Sequence, residues 1–96
     1  MPQWIYIINP CRPDFITTST DEENAKVGEH FHYLKGLLAE GKLILAGRTQ
    51  DDVPQGYVIY EADDEQEAQR MFEEDPAVKA GVFVGKVRPY FVALSR

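Results

Sequence analysis

The apolar positions of the chain alternate between a spacing typical of strands and a spacing typical of helices. Trp4 to Ile8 is an aromatic and β-branched run, which predicts a strand. Both of its alternating faces are apolar, so this strand should be covered on both sides. Leu43 to Ala46, Tyr57 to Glu61 and Val82 to Leu94 predict three further strands. Pro89 cannot donate to a sheet ladder, so the last strand should have an edge or a break there.

A first amphipathic helix is predicted between the first two strands. Thr20 and Glu23 form a capping-box pattern, and the helix should run to about Glu40, where Gly41 ends it. Four of its apolar residues recur at i, i+4, i+7 and i+11, and this spacing predicts one buried stripe. The stripe consists of Val27, Phe31, Leu34 and Leu38.

A second helix should begin at a cap on Asp63 or Asp64 and run to about Glu74. Its apolar face is formed by Ala68, Met71 and Phe72. Asp75 comes seven residues after Ala68 and therefore extends the same stripe. Asp75 and Pro76 also form a helix-start signal, with aspartate as the cap and proline at the first position. A short extra turn should follow and end at Gly81.

The predicted order is β-α-β-β-α-β, which indicates an α+β fold of the ferredoxin-like type. One face of the sheet would pack on both helices. The other face would be apolar and uncovered, and an open apolar sheet face indicates association. A two-fold homodimer with its sheets face to face is the simplest closed arrangement.

Length and composition narrow the possible functions. The 96 residues are enough for one domain, 1–96, and contain no stretch long enough to span a membrane. The net charge is −6 with no cluster of basic residues, so nucleic acid is not an expected partner. The chain has one cysteine, Cys11, and no signal-peptide pattern, and these features favour a cytoplasmic protein.

His30 and Asp75 are the strongest candidates for chemistry, because each is ionisable and lies at the edge of a predicted buried stripe. At about 100° per residue, His30 lies roughly 60° from Val27, whereas His32 lies on the solvated side. In the predicted topology Asn9, Arg48 and Asp75 gather at one edge, with His30 about two turns along the first helix. Such a convergence favours a small-molecule site.

Simpler interpretations stand beside this one. A lone histidine beside a stripe is often structural, an aspartate before proline is often only a cap, and Arg48 could balance Asp51 and Asp52. Cys11 has no basic neighbour except Arg12, which favours a buried or inert thiol over a nucleophile. The i, i+2 spacing of the two histidines puts them on different helix faces, so they do not form a metal pair. No phosphate loop, zinc spacing or dinucleotide fingerprint occurs.

Two segments resemble the YciI-like (YCII-related) family. The first contains His30, the pair Tyr33-Leu34 and the run from Glu40 to Gly47, and the second contains the run from Asp75 to Val82 followed by Val87-Arg88-Pro89-Tyr90. The resemblance implies a dimeric α/β barrel built on ferredoxin-like subunits, with a His–Asp dyad that corresponds to His30 and Asp75. The family often has proline after the Ala-Gly of its first motif, whereas this chain has Arg48, which could adapt the site to an anionic ligand or be only a change at the surface.

These observations support a cytoplasmic enzyme of the lyase or isomerase kind that acts on a small metabolite. His30 and Asp75 would be the catalytic residues, Arg48 would bind substrate, and neither a cofactor nor a metal is expected, because proton transfer needs only positioned acids and bases. The alternative is a non-catalytic dimeric module that binds a small molecule. A haem-degrading or quinone-forming monooxygenase of the same barrel class has less support, because only one histidine faces the core.

Overall fold

The computed structural model describes residues 1–96 and contains one four-stranded sheet with helices on one face. The strands are β1 (Gln3–Pro10), β2 (Leu43–Arg48), β3 (Gly56–Glu61) and β4 (Phe83–Tyr90). The helices are α1 (Phe15–Thr18), α2 (Asp21–Ala39), α3 (Glu65–Glu73) and α4 (Pro76–Lys79). The strand order is β2-β3-β1-β4 and every neighbouring pair is antiparallel, which confirms the ferredoxin-like α+β fold. None of the helices is both long and apolar enough to cross a membrane.

The long helix α2 begins and ends where its capping residues predict. The Thr20 side chain accepts from the Glu23 backbone N–H, and the Glu23 carboxylate accepts from the Thr20 backbone N–H. At the other end Gly41 has φ of 77°, a left-handed conformation that glycine adopts without strain. Asp64 rather than Asp63 caps α3. The bounds of both long helices therefore follow from local sequence signals.

The core lies between the sheet and the two long helices. Alternate residues of β1 point into it, and Tyr6 at the centre of that strand is fully buried. Ala68, Met71 and Phe72 cover it from α3, as their spacing predicts. The opposite sheet face carries Ile5 beside Ile59 and Arg88 and has no helix over it.

The predicted stripe on α2 is wrong at two of its four positions. Phe31 is 62% exposed and Leu38 is 59% exposed, whereas Leu34 is buried together with Leu37, which was not in the predicted stripe. The line that meets the sheet passes through His30, Leu34 and Leu37. The other flank of α2 carries Phe31 and Leu38. Because β2 is the edge strand of the sheet, no further strand covers this flank, and it remains open.

Strand β4 ends at Tyr90 and not at Leu94 as the sequence predicted. Its only neighbour is β1, whose first residue Gln3 pairs with Tyr90, so the residues beyond have no partner strand. Pro89 lies in this edge strand opposite Trp4. The edge position therefore accommodates the missing N–H of Pro89.

Candidate functional site

His30 and Asp75 form a hydrogen-bonded pair across the two helical segments. His30 lies at the middle of α2, and Asp75 is the second of the two residues between α3 and α4. The Nδ1 atom of His30 is 2.6 Å from Oδ2 of Asp75. The His30 side chain is 13% exposed and that of Asp75 is fully buried, whereas His32 is exposed. The helix phase inferred from the sequence is confirmed at both histidines.

Three donors hold the Asp75 carboxylate. Oδ2 accepts from the Tyr6 hydroxyl at 2.7 Å as well as from His30, and Oδ1 accepts from the Ala77 backbone N–H at 3.0 Å. The last bond is the predicted cap of α4, with Pro76 at the first helical position. Asp75 is therefore both a helix cap and the partner of His30, and these two interpretations do not exclude each other.

Tyr6 is the residue of this cluster that the sequence analysis missed. Its position on the core-facing side of β1 could have indicated it, since a buried phenol needs a hydrogen-bond partner. Burial raises the pKa of Tyr6 far above its usual value, and the negative charge of Asp75 adds to this effect. Burial also raises the pKa of Tyr33 to about 12. Tyr33 donates to the Met71 carbonyl at 2.7 Å and so ties α2 to α3.

The pairing with Asp75 determines which nitrogen of His30 is free. A carboxylate only accepts, so Nδ1 must carry the proton of the 2.6 Å bond. The other nitrogen, Nε2, has no hydrogen-bond partner in the protein. Every fully buried side-chain nitrogen or oxygen does have such a partner, so Nε2 is open to solvent. The ring of Phe83 packs edge-on against the imidazole, with centroids 5.1 Å apart, and limits its rotation.

A cleft of about 890 Å³ opens beside His30, between α2 and the β2 edge of the sheet. Its walls are mainly apolar and include the exposed Phe31 and Leu38. The two side chains that depart from the predicted buried stripe therefore line the cleft and do not pack in the core. Asp75 does not line the cleft and lies behind His30.

Arg48 lies at the end of β2 and lines the same cleft as His30. The structure gives it no ion pair, so it does not balance Asp51 or Asp52. Asn9 also lines the cleft, where its side-chain oxygen accepts from Gln55 at 3.1 Å. The structure thus brings Asn9 and Arg48 to one cleft with His30, whereas Asp75, which the sequence placed at the same edge, lies outside the cleft behind His30.

The loop before α2 is held by an ion pair. Both terminal nitrogens of Arg12 donate to the Glu23 carboxylate, at 2.7 and 2.8 Å, and the same guanidinium bonds Thr18. The bond from Arg12, supported by the Thr20 backbone N–H, lowers the pKa of Glu23 to about 2. Cys11 is exposed next to this pair, so it is not the buried thiol that the sequence allowed. These contacts explain how the loop is held against the start of α2.

The side chains that commonly bind metal ions do not cluster in this structure. No group of three or more histidine, cysteine, aspartate or glutamate side chains comes close enough together to hold a metal ion. The chemistry that the residues of the cleft themselves offer is proton transfer at His30 and binding of an anion at Arg48.

Fold and site together define a ferredoxin-like α+β protein with a buried carboxylate–histidine pair behind a ligand-sized cleft. The YCII-related domain matches residues 4–90, and the chain therefore belongs to that family. Among solved structures it is similar to 5-chloro-2-hydroxyhydroquinone dehydrochlorinase from Burkholderia phenoliruptrix AC1100 in complex with 2,5-dihydroxybenzoquinone. The identity is 26% and the TM-score 0.67, over 92% of this chain and 93% of that chain. No curated protein sequence matches the chain.

Proposed function

We propose that the protein is an enzyme that uses His30 and Asp75 for acid–base chemistry of the lyase or isomerase kind on a small anionic metabolite. The free Nε2 of His30 is the observation that carries this proposal. One nitrogen of the ring is tied to a buried carboxylate, and the other has no protein partner, while the ring lines a cleft. This is the arrangement in which a neutral histidine serves as a base.

His30 would take a proton from the substrate at Nε2 and return it at a later step. The positive charge that forms on the imidazole would then lie 2.6 Å from the carboxylate of Asp75. A buried carboxylate in this position stabilises the imidazolium and fixes the tautomer of the neutral ring. Asp75 acts through His30, because it does not line the cleft.

Arg48 would hold the negative charge of the substrate or of an enolate formed on proton removal. Its guanidinium has no protein anion to neutralise, and it lies in the same cleft as His30. A guanidinium presents paired donors that match two oxygens of a carboxylate or of an oxygenated ring. The substrate would therefore be bound by its oxygens at Arg48 and by its apolar surface on the cleft walls.

The similar dehydrochlorinase suggests the first compounds to test. That enzyme is named for a chlorinated hydroxyhydroquinone, and its structure is a complex with 2,5-dihydroxybenzoquinone. Both are flat rings bearing several oxygens, which suits a cleft with mainly apolar walls and two cationic side chains, Arg48 and Lys35. Loss of hydrogen chloride from such a ring requires removal of a proton, which is the step proposed for His30.

The chain would act as a homodimer. The sheet face opposite the helices carries Leu45, which is 62% exposed, beside Ile5 and Ile59, which are 8% and 9% exposed within one chain. Sedimentation equilibrium at micromolar concentration should therefore give twice the chain mass. A monomer at that concentration would contradict the dimer without affecting the pairing of His30 with Asp75.

Two activity measurements test the proposed function. The first is chloride release from 5-chloro-2-hydroxyhydroquinone, and the second is exchange of the ring hydrogens of 2,5-dihydroxybenzoquinone in heavy water, followed by NMR. Wild type should accelerate at least one of these, and His30→Gln should abolish the acceleration. His32→Gln is the matched control, because His32 lies on the same helix but is exposed, and it should retain full activity. Equal rates for wild type and His30→Gln would contradict the proposal.

A binding module without turnover is the second candidate, and the largely apolar lining of the cleft favours it. Apolar walls retain a ligand without contributing proton transfer, and few polar groups line the cleft besides His30, Arg48 and Asn9. Saturable binding of 2,5-dihydroxybenzoquinone with neither exchange nor chloride release would select this function over the enzymatic one.

A further inference from the structure

We propose that Tyr6 is a positioning residue for the pair formed by His30 and Asp75. Its hydroxyl shares one carboxylate oxygen with the imidazole and thereby sets the strength of the hydrogen bond that holds His30. A catalytic role for Tyr6 rests on the proposed function, but the test of its positioning role needs neither a substrate nor turnover.

The sharing is visible in the distances. Oδ2 of Asp75 accepts from the Tyr6 hydroxyl at 2.7 Å and from His30 at 2.6 Å, while Oδ1 is occupied by the Ala77 backbone N–H. The carboxylate is therefore fixed by donors from β1, α2 and α4. Two short bonds to one oxygen draw on the same electron density, so each is weaker than it would be alone.

Tyr6 is held firmly enough to perform this role. Its ring packs edge-on against Phe72, with centroids 5.1 Å apart, and against Tyr60 at 5.5 Å. The side chain is fully buried, and its raised pKa keeps the phenol protonated at every pH at which the fold is expected to persist. It is consequently a permanent donor to Asp75.

This arrangement has a consequence at the free nitrogen of His30. A bond that is moderated by Tyr6 leaves the proton on Nδ1 and keeps the imidazole in the orientation that opens Nε2 to solvent. Without the Tyr6 hydroxyl, Oδ2 becomes a stronger acceptor for His30 alone. The Nδ1–H bond of the imidazole should then be more strongly polarised.

The test compares Tyr6→Phe with Tyr60→Phe by long-range ¹H–¹⁵N NMR of the histidine rings, at alkaline pH so that the neutral ring is observed. Tyr60 is a matched control, because it is also fully buried and loses a 2.7 Å bond, but that bond goes to the Ala68 carbonyl. Tyr6→Phe should move the Nδ1 resonance of His30 downfield. Tyr60→Phe should leave it in place, although both variants should lower the midpoint of chemical denaturation.

A His30 resonance that stays in place or moves upfield in Tyr6→Phe would overturn the proposal, since Tyr6 would then contribute packing alone. Equal downfield shifts in both variants would also overturn it, because they would show a general response to loss of a core hydroxyl. A protein that shows the selective shift but no turnover would retain Tyr6 as a positioning residue and lose the proposed function. The two failures are therefore distinguishable.

Discussion

His30 Nδ1 lies 2.6 Å from Asp75 Oδ2 although 45 positions separate the two residues in the chain. The contact joins the middle of α2 to the start of α4. Asp75 is fully buried, and a buried carboxylate without partners would be strongly destabilising. The pair therefore satisfies a buried charge within the fold, and in the proposed function the same contact orients His30 for proton transfer.

The three donors on Asp75 make this residue less replaceable than an ordinary helix cap. An asparagine has one oxygen and cannot accept from both sides, so Asp75→Asn should lower the free energy of unfolding by about 1–3 kcal/mol. The matched control is Asp64→Asn, because Asp64 caps α3 through one bond to Glu67 and is exposed. That variant should change stability by only a few tenths of a kcal/mol. Equal costs in urea denaturation would show that the bonds of Tyr6 and His30 to Asp75 add little.

Arg48 should contribute to ligand binding and not to stability. It has no ion-pair partner within the chain, so Arg48→Gln should leave the unfolding free energy within about 0.5 kcal/mol of wild type. The affinity for 2,5-dihydroxybenzoquinone, measured by calorimetry, should fall about tenfold, which corresponds to about 1.4 kcal/mol. Arg70→Gln is the control, because Arg70 pairs with Glu74 on α3 away from the cleft. Unchanged affinity in Arg48→Gln would remove Arg48 from the site.

Two leucines of α2 test how this helix packs on the sheet. Leu34 is 7% exposed and Leu38 is 59% exposed. Leu34→Ala should cost about 2–5 kcal/mol of stability, as core truncations do, and Leu38→Ala less than about 1 kcal/mol. Similar losses from both variants in thermal and chemical denaturation would mean that something covers the open flank of α2 in solution.

The ion pair of Arg12 and Glu23 should produce an acid-sensitive contribution to stability. The pKa of Glu23 is lowered from 4.5 to about 2 in the fold, mainly by its bond from Arg12. A depressed carboxyl pKa stabilises the fold above the unfolded pKa, and this contribution is lost as the pH falls through the folded one. The stability difference between wild type and Glu23→Gln should thus be constant above about pH 4.5 and shrink towards pH 2. A difference that does not vary with pH would contradict this.

The elements that could be predicted from the sequence are those set by local chemistry. Thr20 with Glu23 and Asp75 with Pro76 mark helix starts through bonds to residues within three positions, so no tertiary knowledge is needed. The spacing along each helix also predicted that His30 and Asp75 both face the core boundary. Their pairing then required only that the two helices cover the same sheet face.

The remainder depends on long-range geometry that a spacing pattern does not contain. Phe31 and Leu38 follow helical spacing, but the rotation of α2 over the sheet and the position of β2 at its edge decide that they line a cleft. The end of β4 at Tyr90 depends on where β1 begins. The role of Tyr6 depends on the depth at which α3 and α4 meet β1. The sequence could predict that its hydroxyl needs a hydrogen-bond partner, but it could not identify that partner as Asp75.

The protonation of the His30 ring tests the central claim most directly. Long-range ¹H–¹⁵N spectra should show the neutral ring of His30 with its proton on Nδ1, and addition of 2,5-dihydroxybenzoquinone should move the resonance of Nε2 while the ring of His32 does not respond. Such a result would place the free base in contact with the ligand. A His30 proton on Nε2 in the free protein, or a ligand that binds without moving the His30 resonances, would contradict acid–base chemistry at this site.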